Sequence, residues 1–277
     1  MRPHQARGFT LIELVVSMAI AAVIVGFIGM FMATPMEAYR AQTRRTDLVD
    51  SADAIVRAFD QDLATALPNS VRLIPNGVSL LATAGSARYW EVGDTTPLPG
   101  GDPVRELDFA SADTQFATDG QLNQAVHALA ANSFYLVVNN LGTVGHDAYT
   151  LTDVITPPGT SITFSAGSVG EDQVSVSPAF RFAQSSTTHT VYVVTQPVTY
   201  LCNPAAGTLT RYSGYTIGDP TLGGASSSLV ARFVTACQFT PPVGTSQHGG
   251  LLGMQITLVN NGETLPVFHQ VAVEGIP

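Results

Sequence analysis

Hydrophobic and polar positions follow two different periods along this chain, and the change falls near Pro68. From Leu14 to Ala33 there is no charged residue and no proline. As a helix rising 1.5 Å per residue, this run covers about 30 Å, the depth of a bilayer's hydrocarbon core. Gly26 and Gly29 leave room within it for a neighbouring helix. Pro35 removes one backbone donor and is expected to bend the helix rather than end it. Beyond it, Leu48, Ala52, Ile55, Phe59 and Leu63 recur at helical spacing and make one apolar face. Arg44, Arg45, Asp47, Asp50, Asp53, Arg57, Asp60 and Asp62 fill much of the remainder and read as a solvated face. Asp60 and Asp62 are two residues apart, so on a helix they point in different directions and make a poor acid/base pair. Leu67 precedes Pro68, which disfavours further helix. One helix is therefore predicted over Phe9–Leu67, with a membrane segment over 14–33.

After Pro68 the pattern shortens to the period of strands. Val71–Ile74, Val78–Leu81 and Arg88–Val92 read as short strands, with a tight turn at Pro75-Asn76-Gly77. Gly93–Pro103 reads as a surface loop and Glu106–Phe109 as another strand. Ala110–Asn132 is ambiguous, with helix-forming stretches such as Gln121–Ala131. Phe134–Val138 is a clear strand, whereas Thr143–Val176 offers only short candidates such as Ser161–Phe164. Ala179–Ala183 and Thr190–Thr195 read as strands, and Val198–Cys202 and Thr208–Tyr212 as a hairpin. Gly218–Ser228 reads as a flexible loop, and Leu229–Ala236 as a short helix or strand. Leu251–Val259 and Thr264–Val273 flank Asn260-Asn261-Gly262-Glu263, a strong hairpin signal. The fold class is α+β: a long N-terminal helix packed on a β-rich head of antiparallel sheet, with residues 68–277 forming the head.

Composition and charge add direction. All 12 basic residues are Arg and the net charge is −9. An acidic chain of sparse charge argues against non-specific nucleic-acid binding. Arg2 and Arg7 stand just before the apolar run, which puts the leader in the cytoplasm and sends the body outward. The apolar stretch is longer than a usual secretory signal and no small-x-small cleavage site follows it. The two cysteines, Cys202 and Cys237, suggest one disulfide in an exported chain, with two buried free thiols as the alternative that export disfavours.

Glu13 is the anomaly of the apolar run. A carboxylate at the edge of a membrane helix needs a partner. If the chain were cut between Gly8 and Phe9, the new amino group of Phe9 would be a suitable cation, most usefully beside the Glu13 of an adjacent copy. A simple signal anchor with Glu13 in the headgroup layer is the alternative. The octapeptide Arg7-Gly8-Phe9-Thr10-Leu11-Ile12-Glu13-Leu14, behind a short basic leader and ahead of a long apolar run, resembles the processing motif of type IV prepilins and type II secretion pseudopilins. The resemblance implies that residues 1–8 are a leader removed by a prepilin peptidase, that Phe9 is then N-methylated, and that Glu13 makes an assembly contact. It also implies other pilins and an inner-membrane assembly platform as partners. The subunit would first sit in the inner membrane with its head in the periplasm, and afterwards in a pilus at the cell surface.

Scattered blocks further on are similar to the O-type minor pilins of the mannose-sensitive haemagglutinin pilus, a group close in layout to W-type minor pilins and J-type pseudopilins. They are Leu67-Pro68-Asn69-Ser70-Val71-Arg72, Val198–Cys202, Leu209–Tyr212 with Tyr215, Cys237-Gln238-Phe239 followed by Gly250-Leu251-Leu252, and His269–Pro277. This resemblance implies a subunit that primes filament assembly or sits near the tip, with Cys202–Cys237 as its structural disulfide. The first proline lies at position 35, later than the helix-bending proline of many major pilins.

No catalytic pattern stands out. His4, His127, His146, His189, His248 and His269 form no H-E-x-x-H zinc motif. There is no nucleophile elbow, P-loop or dinucleotide fingerprint. His146-Asp147 reads as a turn. No cofactor is expected; calcium among Asp94, Asp102 and Asp108 is the alternative, with solvated loop acids as the plainer account. The classes left are a structural pilus subunit, a secretion pseudopilin, and a tip adhesin using Gly93–Pro103 and Gly218–Ser228. A membrane-anchored hydrolase lacks any motif.

Overall fold

The structure, a computed structural model, describes residues 9–93, 106–167, 170–241 and 250–275. It has the α+β layout read from the sequence: one long helix, then a head of antiparallel sheet. Two compact units divide it, one ending at Val49 and the other beginning at Asp50.

Helix α1 runs Leu11–Ala64, 54 residues, and continues through position 35. It is long and apolar enough to cross a membrane. From Leu11 to Phe31 its large apolar residues are exposed on every side, and Gly26 and Gly29 stand open. The helix stops short of the expected Leu67 because the following residues join the sheet. The Leu67 amide donates to the Leu81 carbonyl at 2.8 Å, and Ala66 bridges Ala82.

In the second unit the chain forms β1 (Arg72–Ile74), β2 (Gly77–Tyr89), β3 (Asp113–Asp119), a one-turn helix α2 (Gln124–His127) and β4 (Tyr135–Val138). There follow β5 (Ser161–Ala166), β6 (Asp172–Phe180), β7 (Thr190–Asn203), β8 (Thr208–Ser213) and β9 (Ser226–Arg232). These nine strands make one sheet in the order β5-β6-β3-β2-β7-β8-β9, with β1 on β2 and β4 on β7. The last three, β10 (Val234–Thr240), β11 (Gly250–Asn260) and β12 (Glu263–Val273), make a second sheet.

The long β2 and β7 form the spine. Each changes its outer partner halfway: β2 from β1 to β3, and β7 from β4 to β8. Register shifts between Ala82 and Gly85 mark the crossover. A Cβ on Gly85 would lie 2.9 Å from the Asn123 side chain, so the residue there has to be small. The small residues Ala82–Ala87 hid this strand's continuity, and Pro197 hid that of β7. The expected pieces Val78–Leu81 and Arg88–Val92 are one strand, and so are Thr190–Thr195 and Val198–Cys202.

Both faces of the sheet around β4 are covered. Leu136 and Val138 join Val191, Val193, Phe116 and Val174 in one core, while Val137 joins Val194, Leu81 and Ile155 in another. That is the alternation a strand imposes. Several other elements differ from expectation. The Gln121–Ala131 helix is one turn, β3 and β6 occupy stretches read as ambiguous or loop, and Glu106–Phe109 contributes only a bridge through Leu107. Of the expected strand Ala179–Ala183 only Ala179 and Phe180 are strand, as the end of β6. The ambiguous Leu229–Ala236 is strand on both sides of a break at Phe233, whose φ is 65°. The last hairpin turns at Asn261 and Gly262, both at positive φ, as a type I′ turn requires.

Candidate functional site

The first candidate is the start of α1. Thr10 is the N-cap: its carbonyl accepts the Leu14 amide at 3.2 Å. The Glu13 amide donates to Thr10 Oγ1 at 3.3 Å, and Glu13 Oε2 accepts from the Thr10 amide at 3.1 Å and from its hydroxyl at 3.0 Å. This is a capping box, two orphan amides at the helix start satisfied reciprocally. Thr-x-x-Glu ahead of an apolar run is its sequence signature, which the reading of Glu13 as a membrane carboxylate and assembly contact does not include. Both bonds that Thr10 donates to the carboxylate end on Oε2. Phe9 is 82% exposed, and with Ile12, Glu13, Val16, Ser17 and Ile20 it lines a shallow apolar groove along one helix face. Gly8, on the other side of the expected scissile bond, lies outside the described residues.

The second candidate is the clasp on the last turns of α1. Ile55, Phe59 and Leu63 are buried. The Phe59 ring lies 4.2 Å from that of Tyr200 on β7 and 6.1 Å from that of Phe239 on β10. The Tyr200 hydroxyl, with one proton to donate, lies 2.9 Å from the Ala58 carbonyl and 2.5 Å from Asp62 Oδ2. Arg211 on β8 donates to Asp62 through Nε at 2.6 Å and Nη2 at 2.9 Å, a bidentate pair. Burial, then the Asp62 carboxylate, pushes the Tyr200 phenol well above its ordinary range, and the bonds to Asp62 raise Arg211. Asp60 takes a separate partner, His269 Nε2 at 2.6 Å. The two carboxylates do diverge, but Asp62 is not part of a merely solvated face. Its partner stands 149 residues away, beyond the reach of helix periodicity.

Cys202 and Cys237 are bonded, with a Cα–Cα distance of 6.4 Å. They tie β7 of the large sheet to β10 of the small one. Cys202 lies two residues after Tyr200 and Cys237 two before Phe239, so the bridge shares the strand faces that meet Phe59.

The remaining polar groups serve local structure. Asp147 caps the short 3₁₀ turn Ala148–Thr150 and pairs with Arg72 at 2.8 Å, whose guanidinium lies over the Tyr149 ring. His146 bridges Thr143 instead of acting with its neighbour. His127 Nε2 lies 2.9 Å from buried Asp172 Oδ2, which also accepts the Leu122 amide. His189 and Ser185 both contact Glu91, so the carboxylate and not the imidazole is the hub, unlike a nucleophile–base–acid relay. His4 and His248 lie outside the described residues, as do Asp94 and Asp102 and most of the Gly93–Pro103 loop. Asp108 bonds the Ala110 amide and Ser111 hydroxyl. Among the described residues no cluster of three His, Cys, Asp or Glu side chains is spaced to hold a metal. In Gly218–Ser228, Asp219 accepts from Thr221 and Gly223, and the segment from Ser226 is already strand.

The model of the prokaryotic N-terminal methylation motif matches residues 3–29, which take in both sides of the expected scissile bond, the capping box and most of the exposed apolar stretch. The match supports a type IV pilin-like or pseudopilin-like protein that is processed by prepilin peptidase and assembles with other pilins. The apolar start of α1 fits an inner-membrane anchor. No significant match to a curated protein or to a solved structure was found.

Proposed function

We propose that the chain is a minor pilin of a type IV filament similar to the mannose-sensitive haemagglutinin pilus, acting in priming or near the tip rather than as an enzyme. The observation that carries this is the methylation motif at 3–29 on a helix whose large apolar side chains from Leu11 to Phe31 are exposed. In this mechanism the membrane holds the uncut subunit with residues 1–8 inside. Cleavage after Gly8 frees the Phe9 amine, which is methylated. Glu13 then exchanges its hold on Thr10 for the amine of an adjacent subunit, as helix–helix contact replaces lipid.

N-terminal mass analysis of the native protein tests the proposal: it is expected to begin at methylated Phe9, and an intact Met1 would reject it. Glu13→Ala should be cut normally yet be lost from filaments at least tenfold; wild-type incorporation would remove Glu13 from the mechanism. A J-type pseudopilin of a type II secretion system carries the same motif. Loss of exported enzymes with pili intact, on deletion of the chain, would favour that alternative.

A further inference from the structure

The free edges of the two sheets differ in kind. Among the described residues β12 pairs with β11 alone, over its whole length and with no register shift. Other edges are bulged or short. The β8–β9 pairing slips between Leu209 and Thr210, β10 slips between Val234 and Ala236, and β5 and β1 are six and three residues long. The last hairpin also fixes which groups of β12 are free. Its two-residue type I′ turn makes Asn260–Glu263 the first hydrogen-bonded pair, so the amides and carbonyls of Glu263, Leu265, Val267, His269, Val271 and Val273 point to β11. Those of Thr264, Phe268, Gln270 and Ala272 point away, with the Pro266 carbonyl, and no described group bonds them. The same five residues are exposed and uncharged, and Phe268 shows 67% of its surface. Pro266 has no amide and interrupts the ladder, so the longest run able to donate and accept in turn is Phe268, Gln270 and Ala272.

That run opens at Ala272 onto a cleft of about 410 Å³, whose other wall is Thr188, Thr190 and Tyr192 at the start of β7. Among the described lining residues Glu274 is the single charged side chain, so the cleft joins hydroxyls and a phenol to a carboxylate with no basic group. We infer that β12 takes up a strand from a different protein chain: an extended, uncharged segment antiparallel to Phe268–Ala272, with a basic residue at its start reaching Glu274. Main-chain bonds to the edge hold such a segment, and the cleft selects one of its side chains. Antiparallel is the sense of every strand pair in the head. A second copy fits poorly. Two β12 strands paired about Gln270 would set Pro266, without an amide, opposite each Glu274 and bring no cation to it. A different chain at this edge suits the low-copy role proposed above, although the site belongs to the head alone.

The test uses the full chain in detergent and a labelled, end-capped synthetic peptide, Arg-Thr-Val-Thr-Val-Thr-Val, read by fluorescence anisotropy. In the inferred register its valine amides face β12 and its threonine amides face away. The peptide is expected to bind saturably. N-methylation of the three valine amides should weaken binding by about tenfold or more, and N-methylation of the three threonine amides by less than about threefold. The two methylated peptides are equally apolar, so uptake by the detergent would not separate them. Gln270→Pro removes an edge amide and should lose about tenfold or more, whereas Gln270→Ala keeps the amide and should bind as wild type. Glu274→Gln should weaken this peptide by about threefold or more and leave a peptide with Gln in place of its Arg unchanged. Formation of the Cys202–Cys237 bridge in each variant checks that the head has folded. Absence of saturable binding, equal loss from both methylation patterns, or full binding by Gln270→Pro would overturn the inference. So would a dimer of the chain that Gln270→Pro dissolves while the peptide fails to bind, which would give the edge to a second copy. The assay reads the head and stands whether or not Phe9 is methylated.

Discussion

Two stretches of one helix are rich in apolar side chains and have opposite surroundings. From Leu14 to Phe31 the exposed large apolar residues show 48–78% of their surface. From Ile55 to Leu63 the face that repeats at helical spacing is buried, with Phe59 at 1%. The second stretch is amphipathic, so its apolar face found strands of its own head to cover it. The first is apolar all round and exposed, which fits a segment covered by lipid or by other helices. A hydrophobic pattern thus states that a surface is to be covered; its angular width states whether the cover is internal.

Substitution at the cut site tests the outward-facing stretch most severely. Gly8→Asp should abolish the shortened chain altogether on mass analysis; a mature chain of normal mass would detach the exposed stretch from any prepilin processing. The contrast within the helix comes next. Phe59→Ala should cost the head about 3–5 kcal/mol in denaturant unfolding of the detergent-solubilised chain, because a buried ring between two sheets leaves a cavity. Phe27→Ala in the same assay should leave head stability within about 0.5 kcal/mol, and a comparable loss there would erase the distinction between the stretches. Cys202→Ser with Cys237→Ser should cost about 3–4 kcal/mol, from the chain entropy released by opening their loop.

Arg211→Ala should cost about 2 kcal/mol, less than breaking a fully buried pair, by leaving Asp62 without its cation. Removing the exposed Arg57–Asp53 pair should cost no more than about 0.5 kcal/mol. The smallest effect is alkaline. Burial and, after it, Glu274 push the Tyr192 phenol up to about 12. Because its folded value is raised, the neutral form is favoured in the native state. Its contribution is therefore complete below the ordinary phenol range near 10 and is lost as pH rises toward 12. Tyr192→Phe should flatten the fall in head stability over that window, and an unchanged slope would assign the fall to other tyrosines.

Local signals were the legible ones. The helix and its amphipathic half, the Asn261-Gly262 hairpin and the β7–β8 hairpin are encoded by residues near one another. What escaped is set by distant partners. β6 alternates buried Val174 and Val176 with serines, yet its Gly- and Ser-rich surroundings resemble a loop until β3 and β5 pair with it. β3 carries Asp at both ends and few β-formers, and it is held by burial of Phe116 and Ala117. At the site, Gly8, Phe9 and Glu13 were legible as a motif. The capping box is equally local, since Thr10 and Glu13 stand three residues apart at the head of the apolar run. The Asp62–Arg211–Tyr200 clasp was not, since no sequence period links a helix surface to two strands more than 130 residues on.

The disulfide has a mechanical meaning. The last turns of α1 are gripped from the large sheet by Tyr200 and Arg211, and from the small sheet by Phe239 and His269. A pull along the helix axis loads these contacts side by side, in shear, so many must fail together. The easier route would be for the two sheets to part like jaws and let the helix slip out. Cys202–Cys237 joins the jaws two residues from the gripping aromatics, closing that route for as long as the bond stays oxidised. Oxidation of one thiol pair thereby turns a head that could be peeled from its stalk into one that has to be torn from it.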